Sequence, residues 1–180
     1  MQSQMQAVSA GTWTGLPYLW SWGYNNNGQL GLNNTTSYSS PKQVGALTNW
    51  SSVSCGYAHT VSIKTDGTLW SWGYNPYGQL GLGNTTSYSS PKQVGALTTW
   101  LSVSCGFYHT VSIKTDGTLW SWGYNGYGAL GLNNTTSFNS PKQVGALTNW
   151  SSVSCGQYHT ASIKTDGTLW SWGYNPQGQL

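Results

Sequence analysis

Residues 69–82 read LWSWGYNPYGQLGL, and the fold follows from this stretch. Its first half alternates: Trp70, Trp72 and Tyr74 fall on one side, Leu69, Ser71 and Gly73 on the other. That period of two marks a strand with one face of large residues. The second half, 75–81, is a turn and a tight bend, with Gly78 and Gly81 supplying backbone freedom. Copies of the stretch begin at Leu19, Leu119 and Leu169, so the period is 50 residues.

Working outward, the spacers between copies also read as strands. Residues 51–56 (SSVSCG) alternate, with Val53 and Cys55 on one face. Gly56 permits a bend into 59–64 (HTVSIK), where Val61 and Ile63 are expected inward and Ser62 and Lys64 outward. Thr65-Asp66-Gly67 is a hairpin turn, in which Asp bonds its own backbone and Gly takes positive φ. Residues 84–90 (NTTSYSS) read as a polar surface loop, and 91–94 (PKQV) as a short strand that proline confines to an edge. No helical periodicity is present. Four short strands per 50 residues form an antiparallel meander too small to stand alone. Stacking successive copies radially buries both faces, which is the propeller solution.

The repeats are nearly identical. Residues 51–100 and 101–150 differ at nine positions and agree at 41. Sequence periods are drawn at 19–68, 69–118 and 119–168, with a partial period at 169–180. Residues 1–17 match none of them and read as a divergent entry segment. The last period stops inside the motif, before the expected Gly-Leu.

The composition narrows the function classes. Charged residues make up 5% of the chain, with six lysines, three aspartates and neither arginine nor glutamate. Nucleic-acid binding needs a dense cationic surface, so it is not expected. Twelve Trp and twelve Tyr exclude disorder. No apolar run approaches the ~20 residues of a membrane span, so no membrane insertion is expected. Residues 1–11 show no positively charged and apolar leader, so no secretory signal is visible there. The compartment stays open between cytoplasm and a virion or cell surface.

Taken together, Ser71-Trp72-Gly73, Asn75, Gly78-Gln79-Leu80-Gly81, Pro91, Val94, Gly56, His59-Thr60 and Asp66-Gly67 resemble the regulator of chromosome condensation repeat family. The resemblance runs from about Leu19 onward. It implies an all-β fold of four-stranded antiparallel blades in a propeller, about three and a half blades of a seven-bladed ring. It implies no single function. Members include a nucleotide-exchange factor for the nuclear GTPase Ran, chromatin-bound proteins, and ubiquitin-ligase or channel-associated domains. The exchange factor's protruding wedge and basic tail have no counterpart here. The family motif also implies that His59 is bonded to blade backbone, holding the bend.

Candidate chemistry is sparse. Cys55, Cys105 and Cys155 each precede a histidine (His59, His109, His159) by four residues. Each pair offers a metal only two ligands, so neither metal nor cofactor is expected. The only acids, Asp66, Asp116 and Asp166, sit in identical hairpin turns. General acid–base catalysis needs unlike groups in one cleft, so no catalytic residue is assigned and the chain is read as a non-enzyme.

The informative positions are those where near-identical copies differ. Tyr57, Phe107, Tyr108, Gln157 and Tyr158 fall in one loop series; Asn26, Asn27, Pro76, Tyr77, Tyr127 and Gln177 fall in another. Loop variation over a fixed scaffold is how repeat proteins present binding surfaces. The expected partner is a protein or carbohydrate. A self-assembling particle or surface-layer protein is the second reading, and an exchange-factor-like regulator the third. Trp70, Trp72 and their equivalents, with Trp100, are expected to be buried. Bare terminal flanks are expected to be relieved by continuation of the chain, by a second copy closing the ring, or by a larger assembly.

Overall fold

The computed structural model describes residues 18–180. The entry segment 1–17 lies outside the described residues. Thirteen strands follow one another with no helix among the described residues: β1 (Trp20–Gly23), β2 (Tyr38–Gln43), β3 (Trp50–Cys55), β4 (His59–Lys64), β5 (Leu69–Gly73), β6 (Tyr88–Gln93), β7 (Trp100–Cys105), β8 (His109–Lys114), β9 (Leu119–Gly123), β10 (Phe138–Gln143), β11 (Trp150–Cys155), β12 (His159–Lys164) and β13 (Leu169–Gly173). They form antiparallel sheets in simple meander order: β1-β2, β3-β4-β5-β6, β7-β8-β9-β10 and β11-β12-β13. Two complete blades are therefore flanked by a two-stranded and a three-stranded sheet. The first strands β3, β7 and β11 lie beside one another, and each sheet fans outward from that line. This is a partial β-propeller.

The alternation in LWSWG decides the stacking. Leu69 packs forward with Val61, Ile63 and Val94 against Trp100, Trp122, Val103 and Cys105 of the next blade. Trp70 and Trp72 pack backward with Trp50 against Leu19, Leu32 and Val44. Both faces of a blade are thus buried, which corrects the outward placement of Ser62 and Lys64. Every residue of β4 and β8 is buried. Ser62 donates its hydroxyl hydrogen to the Ser52 carbonyl, and the Lys64 ammonium sits 3.8 Å from the centre of the Trp70 ring.

The expectation of uniformly buried tryptophans holds in part. Trp72, Trp122, Trp50, Trp100 and Trp150 are buried. Trp70, Trp120, Trp22 and Trp172 are half-buried; Trp20 is exposed with no blade behind it among the described residues, and Trp170 with no fourth strand beside it in its sheet. The hairpin behaves as its sequence dictates. Gly67 takes φ 76°, and Asp66 Oδ1 accepts from Thr68 N at 2.9 Å and Thr68 Oγ1 at 2.6 Å. The outer strand begins at Tyr88, earlier than the polar composition of 84–90 suggests. Pro91 sits inside it and costs no sheet bond, because β6 is the sheet's edge.

A loop face of joined aromatic rings

One end of the blades is built from the β3–β4 turns and the β5–β6 loops and their repeats. Asn75, fully buried, organises each long loop. Its amide nitrogen donates to the Asn84 and Thr86 carbonyls at 3.0 Å each, and its Oδ1 accepts from Leu80 N at 2.9 Å. Its own N–H donates to Ser87 Oγ at 3.0 Å. Gln79 Oε1 accepts from Tyr77 N at 3.1 Å and fixes the loop tip. Asn25 and Asn125 repeat this clasp.

Gly73, at φ 101°, turns the chain out of β5, and Tyr74 N then donates to the Ala58 carbonyl at 2.8 Å. Tyr74 therefore leaves the tryptophan face where alternation had placed it and joins the loop face. The rings of this face touch one another in series. Tyr57 stacks on Phe107 at 4.1 Å between centroids, with a 14° interplanar angle. Phe107 meets Tyr108 edge-on at 4.5 Å, and Tyr108 meets Tyr77 at 4.9 Å. Tyr77 meets Tyr124 at 5.1 Å, Tyr127 meets Tyr158 at 5.1 Å, and Tyr127 meets Tyr174 at 4.6 Å. Edge-to-face pairs at these separations are mutually attractive. A Cβ on Gly126 would lie 2.2 Å from the Tyr124 hydroxyl oxygen, so glycine where other copies carry Asn or Pro lets that ring lie down.

Of the eleven loop positions singled out from sequence, this network joins six: Tyr57, Tyr77, Phe107, Tyr108, Tyr127 and Tyr158. Asn26, Pro76, Gln157 and Gln177 are exposed and Asn27 half-buried, all outside the ring contacts. The Gln157 carbonyl accepts from Phe107 N at 3.2 Å across a blade boundary. Sequence reasoning missed Tyr74, Tyr124 and Tyr174, which are the same in every copy. The glycine before each was the signal that the strand ends there. These loops contain no lysine or aspartate. Burial, and then the neighbouring phenols, push Tyr108 and Tyr124 above the usual tyrosine range, so the face stays uncharged.

The histidines do other work. His59 Nε2 lies 3.1 Å from Thr110 Oγ1 of the next blade, and His109 Nε2 lies 3.1 Å from Thr160 Oγ1. Thr110 Oγ1 already donates to the Gln79 carbonyl, so it accepts from His59, which is the Nε2–H tautomer. This corrects the expected backbone bond: the partner is a threonine side chain one blade on. His59 Nδ1 is buried without a partner. Burial pushes His59 down to about 3 and His109 to about 4. Gly56 is required because a Cβ there would lie 2.2 Å from the His59 ring. Trp122 Nε1 donates to the same Gln79 carbonyl at 3.0 Å. Cys105 N donates to Ser54 Oγ at 3.0 Å, and burial raises the Cys105 thiol far above its ordinary range. These residues bolt blade to blade.

The architecture defines a β-propeller segment whose blades are joined through Gly-x-x-His and Trp-Gly segments. Two family models, both described as Regulator of chromosome condensation (RCC1) repeat, match it. One covers residues 18–63, 66–113 and 116–163, the other residues 50–79, 100–129 and 150–179. The chain belongs to that family. Among solved structures it is similar to human WBSCR16, at 25% identity and a TM-score of 0.75, over 87% of this chain and 42% of that one. It is also similar to yeast RCC1 (Prp20) in its complex with Kap60, at 21% identity and a TM-score of 0.75, over 88% of this chain and 40% of that one. Prp20p from Saccharomyces cerevisiae, described with its binding to Gsp1p and histones, matches at 22% identity and a TM-score of 0.76, covering 88% and 42%. The chain thus spans about two fifths of the length of these proteins.

Proposed function

We propose that this chain is a non-enzymatic recognition scaffold that engages a protein or glycan surface through the aromatic loop face. The observation that carries this reading is the continuous, uncharged run of nine touching rings from Tyr57 to Tyr174. Rigid aromatic side chains give contact area at small entropic cost and dominate binding hot spots. The test is binding to glycan arrays and to protein captured from the source cells, repeated with Tyr77→Ser, Tyr108→Ser and Tyr127→Ser combined. Binding that survives the triple substitution, with the fold intact by circular dichroism, refutes the assignment. A yeast-type interaction with a GTPase or histones is not proposed, because those likenesses carry the fold alone.

A second reading, self-association through the forward flank of the last sheet, rests on a separate observation. Ile163 and Leu169 are exposed there. Light scattering coupled to size exclusion tests it. A stable monomer across concentration would end this reading.

A further inference from the structure

Along the outer rim, toward the end opposite the aromatic loops, the boundary between β3-β4-β5-β6 and β7-β8-β9-β10 opens into a groove of about 350 Å³. Its apolar walls are Leu82, Val94, Leu97 and Pro141; its aromatic walls are Trp100 and Trp120. Fifty residues earlier Leu32, Val44, Leu47, Pro91, Trp50 and Trp70 line a groove of about 370 Å³. Lys114, only 6% exposed, lines the first groove, with its Nζ 3.6 Å from the Trp120 ring centre and 4.9 Å from that of Trp100. Lys64 is caged in the same way by Trp70 and Trp50.

Among the described residues no carboxylate comes within ion-pair distance of these ammonium groups, and Asp66 and Asp116 act on them only from further off. Of these, Asp116 spends its Oδ1 on Thr118 N and Thr118 Oγ1. Indole faces compensate a buried cation only in part, and proteins otherwise pair buried charges. The second wall carries a further unmet donor: Trp100 Nε1 is buried without an acceptor, as is Trp50 Nε1. Trp120 Nε1, by contrast, is satisfied by Thr118 Oγ1 at 2.8 Å. A cation and a spare N–H on one apolar groove call for an acceptor that is negative and has two oxygens.

We propose that the groove at Lys114 binds a carboxylate carried on an apolar body, the carboxylate on Lys114 with Trp100 Nε1 as second donor and the body along Leu82, Val94 and Leu97, and that its repeat beside Lys64 and Trp50 binds the same group. Such a group is found on a peptide C-terminus and on a free aliphatic acid. The site uses none of the aromatic rings of the loop face.

The probes are N-acetyl-leucine, its uncharged amide and octanoate, titrated into the ¹⁵N-labelled chain at neutral pH. The acid is expected to shift the indole N–H resonances of Trp50 and Trp100 saturably, and the amide to bind at least about tenfold more weakly. The combination Lys64→Met with Lys114→Met keeps the apolar stems and is expected to abolish the shifts. The combination Lys64→Arg with Lys114→Arg, which keeps the charge, is expected to retain them. Tighter binding of octanoate assigns an aliphatic acid, and tighter binding of N-acetyl-leucine a peptide end. Equal response to acid and amide overturns the proposal, as does an absence of shifts at millimolar acid. If the Met pair fails to fold, the acid–amide comparison on the unaltered chain still decides.

Discussion

The sheets β7-β8-β9-β10 and β11-β12-β13 are nearly the same sequence in two environments. Both contain LWSWG, and HTVSIK differs from HTASIK by one residue. In the first, Ile113 and Leu119 are fully buried; in the second, Ile163 is 41% and Leu169 69% exposed. Trp122 is fully buried and Trp172 half-buried, with the same indole bond to a carbonyl of the preceding loop in both. His109 reaches Thr160, whereas His159 is half-buried. Burial here belongs to the neighbouring blade and not to the residue. A blade of this type is a two-sided adhesive, with an aliphatic front that fits the tryptophan back of the blade after it.

The largest expected contrast is at the indoles. Trp122→Ala removes a fully buried ring and should lower stability by about 3–5 kcal/mol. Trp172→Ala should cost well under half of that, because part of its ring is already in water. Urea denaturation of the two variants checks this. Equal losses would mean that the last sheet is covered in solution.

Next comes the acid dependence. Burial holds His109 at about 4 and His59 at about 3 in the folded chain, against 6.5 when unfolded. Between those values the unfolded chain binds the proton more readily, so stability is fully present above about pH 6.5 and falls as the pH drops toward 4. For His109 the whole window is worth on the order of 3 kcal/mol. The aspartates of the hairpins, held low by their threonine bonds, push in the same direction at lower pH. His109→Gln should therefore flatten the stability–pH profile between pH 6.5 and 4. An unchanged slope would place the proton uptake elsewhere.

The glycine at 81 gives a smaller, sharper effect. At φ 72° an added Cβ would lie 2.8 Å from Trp122 Nε1, whereas Gly95, at φ 61°, has open space around it. Gly81→Ala combines backbone strain of about 1–3 kcal/mol with a displaced indole. Gly95→Ala carries the strain alone and should cost less. Thermal melts of the pair separate the two contributions.

Strand order, hairpins and the glycine bends were legible because each is a local pattern: LWSWG alternates, Asp-Gly turns, Pro91 marks an edge. The inter-blade features were not. HTVSIK reads as one-sided, yet β4 is buried on both faces, because Ser62 finds Ser52 and Lys64 finds two indoles. His59 was placed at the right bend with the wrong partner, since Thr110 lies 51 residues away. In the loop face, variation between copies pointed to Tyr57, Tyr77 and Tyr127 but passed over Tyr74, Tyr124 and Tyr174, which never vary. Comparing copies finds what differs and is blind to a surface residue that every copy shares.

The smallest expected effect tests the flank itself. Leu119→Ser places a hydroxyl where the next blade's rings pack and should cost several kcal/mol, as deletion of a buried leucine does. Leu169→Ser alters the same position of the same motif in the last sheet, where the side chain is mostly in water. Surface substitutions away from special features stay within about 0.5 kcal/mol, and that is the expected loss. The residues are chemically matched, so the difference between the two losses measures what a neighbouring blade contributes at this position. If Leu169→Ser proves as costly as Leu119→Ser, something covers the flank in solution. Repeating the denaturation over a range of chain concentrations then identifies it. A loss that grows with concentration assigns the cover to a second copy docking on Ile163 and Leu169. A large but concentration-independent loss assigns it to the chain itself.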